Sequence, residues 1–105
     1  MASAIRFFVI YVLGKRVSVT ADYWQKIITI KHPSMAGKDV EVQQTLMDAD
    51  EVRESRSDPL VRLYYRRYGS LHLCVVVKHL NGSGFIVTTY FTDRIKEGVA
   101  LWIKS

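Results

Sequence analysis

Two short glycine-bearing breaks constrain this chain more than any other feature. Gly69-Ser70 and Asn81-Gly82-Ser83-Gly84 divide its second half into three runs: Leu60 to Tyr68, Leu71 to Leu80 and Phe85 to Phe91. Each run is rich in β-branched and aromatic residues, and glycine supplies the positive φ that tight hairpin turns demand. Three strands joined in this way read as an antiparallel meander. The first half has a different period. Tyr23, Trp24, Ile27, Ile28 and Ile30 recur at helical spacing with Asp22, Gln25, Lys26 and Thr29 between them, which predicts an amphipathic helix from about Ala21 to Lys31. Thr20 or Asp22 starts it, and Pro33 stops it by disfavouring helical geometry at His32. A second helix is expected over 39–47, opened by Asp39 and Glu41 and broken by Asp48-Ala49-Asp50. Ile5 to Val12, Val17 to Val19, Val52 to Ser55 and Val99 to Ile103 are candidate short strands. Gly14-Lys15 is a candidate turn, and residues 93–98 are expected to form a turn or one helical turn. The expected fold class is α+β, with two N-terminal helices packed on one face of an antiparallel sheet of four strands or more.

At 105 residues the chain has the length of one domain, with no linker or internal repeat, so residues 1–105 are expected to fold as a unit. A single cysteine, Cys74, can close no internal disulfide and supplies no thiolate cluster for zinc. That usage suits a reducing compartment, and a cytoplasmic location is the expectation. Phe7 to Leu13 is an apolar run of seven residues, against the ~20 needed to span a bilayer. It ends in Gly14-Lys15-Arg16 without a small-residue cleavage site, so it reads as a strand rather than as a signal peptide or membrane anchor.

Charge is distributed unevenly. The formal net charge is +5, and no carboxylate occurs from Pro59 to Thr92, a stretch that holds Arg62, Arg66, Arg67, Lys78, His72, His79 and four tyrosines. Basic and aromatic side chains without acids are the composition of a phosphate-facing surface; the plain alternative is a sheet that uses arginine for solubility. Strand alternation sorts these residues by face. The simplest assembly puts Val61, Leu63, Leu73, Val75, Val77, Phe85 and Val87 beneath the helices. It leaves Arg62, Tyr64, Arg66, Lys78, Thr88 and Tyr90 facing solvent. A one-residue slip or bulge exchanges the two sets.

Four segments stand in a telling order: Ile30-Lys31-His32-Pro33 at a helix end, Asp50-Glu51-Val52-Arg53-Glu54-Ser55, Leu63-Tyr64-Tyr65-Arg66, and Phe85-Ile86-Val87-Thr88-Thr89-Tyr90-Phe91-Thr92. In this order the chain resembles small single-domain members of the superfamily that groups barnase, EndoU, the tRNA-cleaving colicins and the RelE-type toxins. The resemblance covers about residues 20–104 as a nuclease-like core and leaves the N-terminal strand region, 5–19, unexplained. It implies a metal-independent endoribonuclease of phage or toxin type, with no cofactor and no metal. RNA would be the substrate, and a neutralising antitoxin or immunity protein a possible partner.

Cleavage without metal requires a group to take the ribose 2′-OH proton, a group to protonate the leaving oxygen, and cations for the phosphorane. His32, at a helix C-terminus that favours imidazolium, is the candidate proton carrier. Arg53 and Arg66 are the candidate phosphate clamps, and Thr88 the candidate hydroxyl donor. Arg62, Tyr64, Lys78, Tyr90 and Lys96 are candidate RNA contacts. Each also has an ordinary structural reading, as cap, surface cation or β-former. A non-catalytic RNA- or protein-binding module on the same scaffold is the second hypothesis, and a domain that homodimerises through a sheet edge is the third.

Overall fold

The computed structural model describes residues 5–10, 16–80, 82–95 and 98–104, and for residues 8–10 the backbone alone. The candidate turn Gly14-Lys15, Asn81 and Lys96 lie outside the described residues. Strands β1 (Ile5–Ile10) and β2 (Arg16–Thr20) lead into helix α1 (Ala21–Lys26), which continues as a π-helical turn over Ile27–Lys31 and a 3-10 turn over Pro33–Met35. Helix α2 (Asp39–Met47) follows, then β3 (Glu51–Glu54), β4 (Val61–Tyr68), β5 (Leu71–Leu80), β6 (Ser83–Thr92) and β7 (Val99–Ile103).

Seven strands form one mixed sheet in the order β1-β2-β6-β5-β4-β3-β7. The expected antiparallel core, β3 to β6, is present. It is widened on one side by β7 and on the other by the β1–β2 hairpin, whose β2 runs parallel to β6 through Arg16↔Ser83, Val17↔Gly84 and Ser18↔Phe85. The parallel pairing corrects the all-antiparallel expectation. Val17 and Val19 point into the core, so the otherwise unexplained N-terminal segment becomes the sixth and seventh strands of the same sheet. No described helix is long and apolar enough to cross a membrane.

The helical segments cover one sheet face. Trp24, Ile27, Met35, Val42 and Leu46 pack there onto Val52, Tyr64, Leu73, Val75, Val77 and Ile86. Strand β4 is turned opposite to expectation. Tyr64 pairs with Val75 beneath the helices, so Arg62, Arg66 and Tyr68 share that side, while Leu63 and Tyr65 join Cys74 in a second cluster on the far face. Strand β5 is apolar on both faces and so fits either arrangement, which leaves the choice to its neighbours. Each face of β4 buries one tyrosine completely, Tyr64 beneath the helices and Tyr65 on the far side. The two arginines can still reach outward on long stems at the margin of the core. A bulge supplies the second exchange. Val76 pairs with Thr88 but Val77 with Ile86, so Val87 is the extra residue; Ile86 turns inward and Phe85 outward, 42% exposed. Of the residues expected beneath the helices, Leu73, Val75 and Val77 share the main core with Trp24, and Ile28 packs at its margin. Leu63 belongs to the far cluster, and Val87 is only half-buried.

The far face is not bare. Leu63, Tyr65 and Cys74 are flanked by Val76, Tyr90 and Ile95. Ile95 belongs to the connection that leaves β6 at Thr92 and reaches β7 beyond β3. At the end of that connection Gly98 lies so close to Glu54 that a Cβ would stand 2.6 Å from the Glu54 carbonyl oxygen.

Candidate active site

The site is built where β2 parts from β6. Beyond Ser18↔Phe85 the two strands no longer pair. Thr20 then caps α1, its hydroxyl accepting from the Tyr23 N–H at 3.2 Å. The bulge leaves the Val87 carbonyl facing this gap, and two side chains serve it. The Tyr23 hydroxyl donates to it at 2.8 Å and Lys31 Nζ at 3.1 Å, while Lys31 also donates to the Tyr23 oxygen at 2.8 Å. A half-buried carbonyl left unpaired would cost about 1–3 kcal/mol, so these bonds pin the helical segment to the strand edge.

The π-helical turn has a local cause. Ile27, Ile28, Thr29 and Ile30 are four successive β-branched residues, which crowd the preceding turn of an α-helix. The Thr29 hydroxyl also bonds back to the Gln25 carbonyl at 2.7 Å, a contact that bends helices. The turn closes with the His32 N–H on the Ile27 carbonyl at 2.7 Å. Its outcome is that the His32 ring lies against Tyr90, with centroids 5.3 Å apart and planes tilted by 38°.

Tyr90 faces away from the main core, opposite Cys74. Burial, and then the neighbouring Cys74, hold its phenol well above the usual tyrosine range, so it stays protonated and cannot serve as a base near neutral pH. With its hydroxyl turned to Cys74, its ring serves as the surface that orients His32. Thr88 is on the same face two residues earlier, and its Oγ1 is buried without a hydrogen-bond partner. Thr88, Val76, Leu63 and Arg53 form one cross-strand row on that face. Three inter-strand steps separate the Cα atoms of Thr88 and Arg53 by about 14 Å. The Arg53 guanidinium is bound by the Glu51 carboxylate and donates from Nη1 to the Gly98 carbonyl at 3.2 Å.

The remaining candidates are dispersed. Arg66 is on the helix side, where it donates to the Asp48 carboxylate at 2.8 Å and to the Asp48 carbonyl at 3.2 Å. Arg53 and Arg66 therefore stand on opposite faces of the sheet and cannot clamp one phosphate together. Arg62 is also on the helix side, opposite Val77 and beside Glu54. Tyr64 is fully buried, its hydroxyl 2.9 Å from His79 Nε2, and offers no ring to a base. Lys78 is on the far face, but Asp58 holds its ammonium at 3.3 Å. Lys96 lies outside the described residues. Thus His32 and Tyr90 are in contact, Thr88 lies two residues along the Tyr90 face, Arg53 stands across the same face, and Arg62, Tyr64 and Arg66 leave the group. Among the described residues no three His, Cys, Asp or Glu side chains gather as a metal site. Tyr23 and Lys31 are the members that sequence reasoning missed; their helical spacing was visible, but the carbonyl they serve exists only because of the bulge.

In comparisons with known proteins, no family model matches the chain, and neither a curated protein nor a solved structure does.

Proposed function

We propose that this chain is a metal-independent endoribonuclease that cleaves RNA by attack of the ribose 2′-OH on the adjacent phosphate. The observation that supports it is the ring contact of His32 with Tyr90 beside the unpartnered Thr88 hydroxyl. His32 and Tyr90, far apart in sequence and of types this chemistry uses, meet there, with Thr88 two residues along the strand. His32 moves the proton and Tyr90 positions it. The Thr88 hydroxyl, buried in the free chain, becomes a donor for a non-bridging phosphate oxygen or an acceptor for the 2′-OH once substrate displaces what covers it. Arg53, about 14 Å from Thr88 and held by Glu51, is too far to share that phosphate and meets at most a neighbouring one. Arg66, tied to Asp48, has no part. A toxin-like enzyme of this kind would have a neutralising antitoxin or immunity protein as partner, a reading that stands on the resemblance alone.

The test is incubation with mixed RNA in EDTA, followed by end-group analysis. Cleavage should persist under chelation, leave 2′,3′-cyclic phosphate and spare DNA, which lacks the attacking hydroxyl. His32→Ala should slow it at least ~100-fold, the lower end of what general acid–base catalysis contributes. Full activity in His32→Ala, or its loss with EDTA, would reject the assignment. RNA binding without cleavage would instead make the chain a binding module on this scaffold.

A further inference from the structure

The gap between β2 and β6 is not filled. A cavity of about 190 Å³ remains there, lined by Ser18, Val19, Thr20, Tyr23, Phe85 and Ile86. Its walls are chiefly apolar, with two aromatic rings among them. A dry cavity of about 150 Å³ takes up benzene, so this one has room for a single planar ring. The Tyr23 ring that forms one wall carries Lys31 Nζ 4.9 Å and Lys26 Nζ 5.9 Å from its centroid. Neither lysine is paired with a carboxylate among the described residues. Lys31 spends two of its three N–H donors on Tyr23 and Val87, which leaves one for a ligand. Ser18 is also in the lining. Phe85 forms another wall and is three residues from Thr88 on the same strand, a span of about 10 Å.

An apolar slot with aromatic walls and two cations over one of its rings has the chemistry of a nucleotide site. Rings stack with a base, and the ammonium groups meet the phosphate. We infer that this cavity receives an unpaired single-ring base, uracil or cytosine, with Lys31 and Lys26 on the attached phosphate. Its place beside the scissile bond rests on the ribonuclease reading, but its occupancy does not.

Mononucleotide titration separates the two. The Tyr23 and Phe85 ring resonances of the full chain are followed by NMR during addition of UMP, CMP or ribose 5-phosphate. UMP and CMP should shift both rings saturably, and ribose 5-phosphate should bind at least tenfold more weakly. Ser18→Met, which fills the slot, should weaken UMP at least tenfold. Phe85→Ala, a truncation at an exposed position, should do so about fivefold and covers the case in which Ser18→Met fails to fold. Equal binding of ribose 5-phosphate, or UMP affinity unchanged in both variants, would overturn the base site. RNA cleavage without UMP binding to the slot would overturn it alone. UMP binding in a chain that cleaves no RNA would uphold the slot while the enzymatic reading falls.

Discussion

At the scale of single residues, the most informative group is the Thr88 hydroxyl. It is buried without a partner, and such a group costs about 1–3 kcal/mol. Thr88→Val keeps the shape and removes the hydroxyl. It should leave stability unchanged or raise it by up to ~1 kcal/mol in urea denaturation, yet lower RNA cleavage tenfold or more. A variant both stable and fully active would show that the hydroxyl has no part in the reaction. Trp24 behaves in the opposite way. It is 2% exposed, packs edge-on against Phe7 at 5.5 Å, and lies away from the His32–Tyr90 contact. Trp24→Ala should cost about 3–5 kcal/mol, as for other large buried aromatics. A loss below 1 kcal/mol would contradict the packing of α1. His32, Thr88 and Tyr90 were readable as candidates because their residue types suit phosphate chemistry. Arg66 and Tyr64 were misread for the same reason, since a strand arginine or tyrosine carries no local mark of the face it occupies.

At the scale of elements, the connection after β6 decides how open the far face is. Ile95 seals onto Leu63, Tyr65 and Cys74, and Gly98 passes against the Glu54 carbonyl while accepting from Arg53. A Cβ at Gly98 would stand 2.6 Å from that oxygen, which is backbone and cannot step aside cheaply. Gly98→Ala should therefore destabilise by about 1–3 kcal/mol, read as a lower urea midpoint, through backbone displacement of the kind overpacking forces. An unchanged midpoint would mean that the segment is not pressed against β3. The periodic helix from Ala21 to Lys31 was legible, but its change into a π-helical turn was not. Helical periodicity marks which residues face inward; the run of β-branched residues and the Val87 carbonyl decide the winding that delivers Lys31 and His32 to β6.

For the whole molecule, charge is the relevant quantity. Several of the fifteen Lys and Arg side chains are committed to carboxylates: Arg6 to Asp39, Arg53 to Glu51, Lys78 to Asp58, and both Arg66 and Lys104 to Asp48. RNA binding should therefore rest on few phosphates, with a slope of log affinity on log salt of about −2 to −3 for a single strand. A flat salt dependence would reject an electrostatic RNA surface. The same pairs set the acid response. The Lys104 ammonium, with Arg66, holds Asp48 below the ordinary carboxylate value of 3.8, and the Leu60 N–H, with Lys78, does so for Asp58. The folded chain thus binds these protons less readily than the unfolded chain. The stabilisation is complete above the ordinary value and drains away as pH falls through the lowered ones. Asp58→Asn should flatten the acid limb of a thermal-melt series, and an identical limb would show that the pair contributes nothing. Local rules were enough for the elements: turn glycines, Pro33 and the two hydrophobic periods act through neighbours in the chain, so the helices and the meander strands lie close to where those rules put them. Which face each strand turns to the helices was settled by long-range pairing. Strand β5 is apolar on both sides and accepts either register of faces. The choice fell to one extra residue at Val87 and to a parallel strand contributed from the other end of the chain.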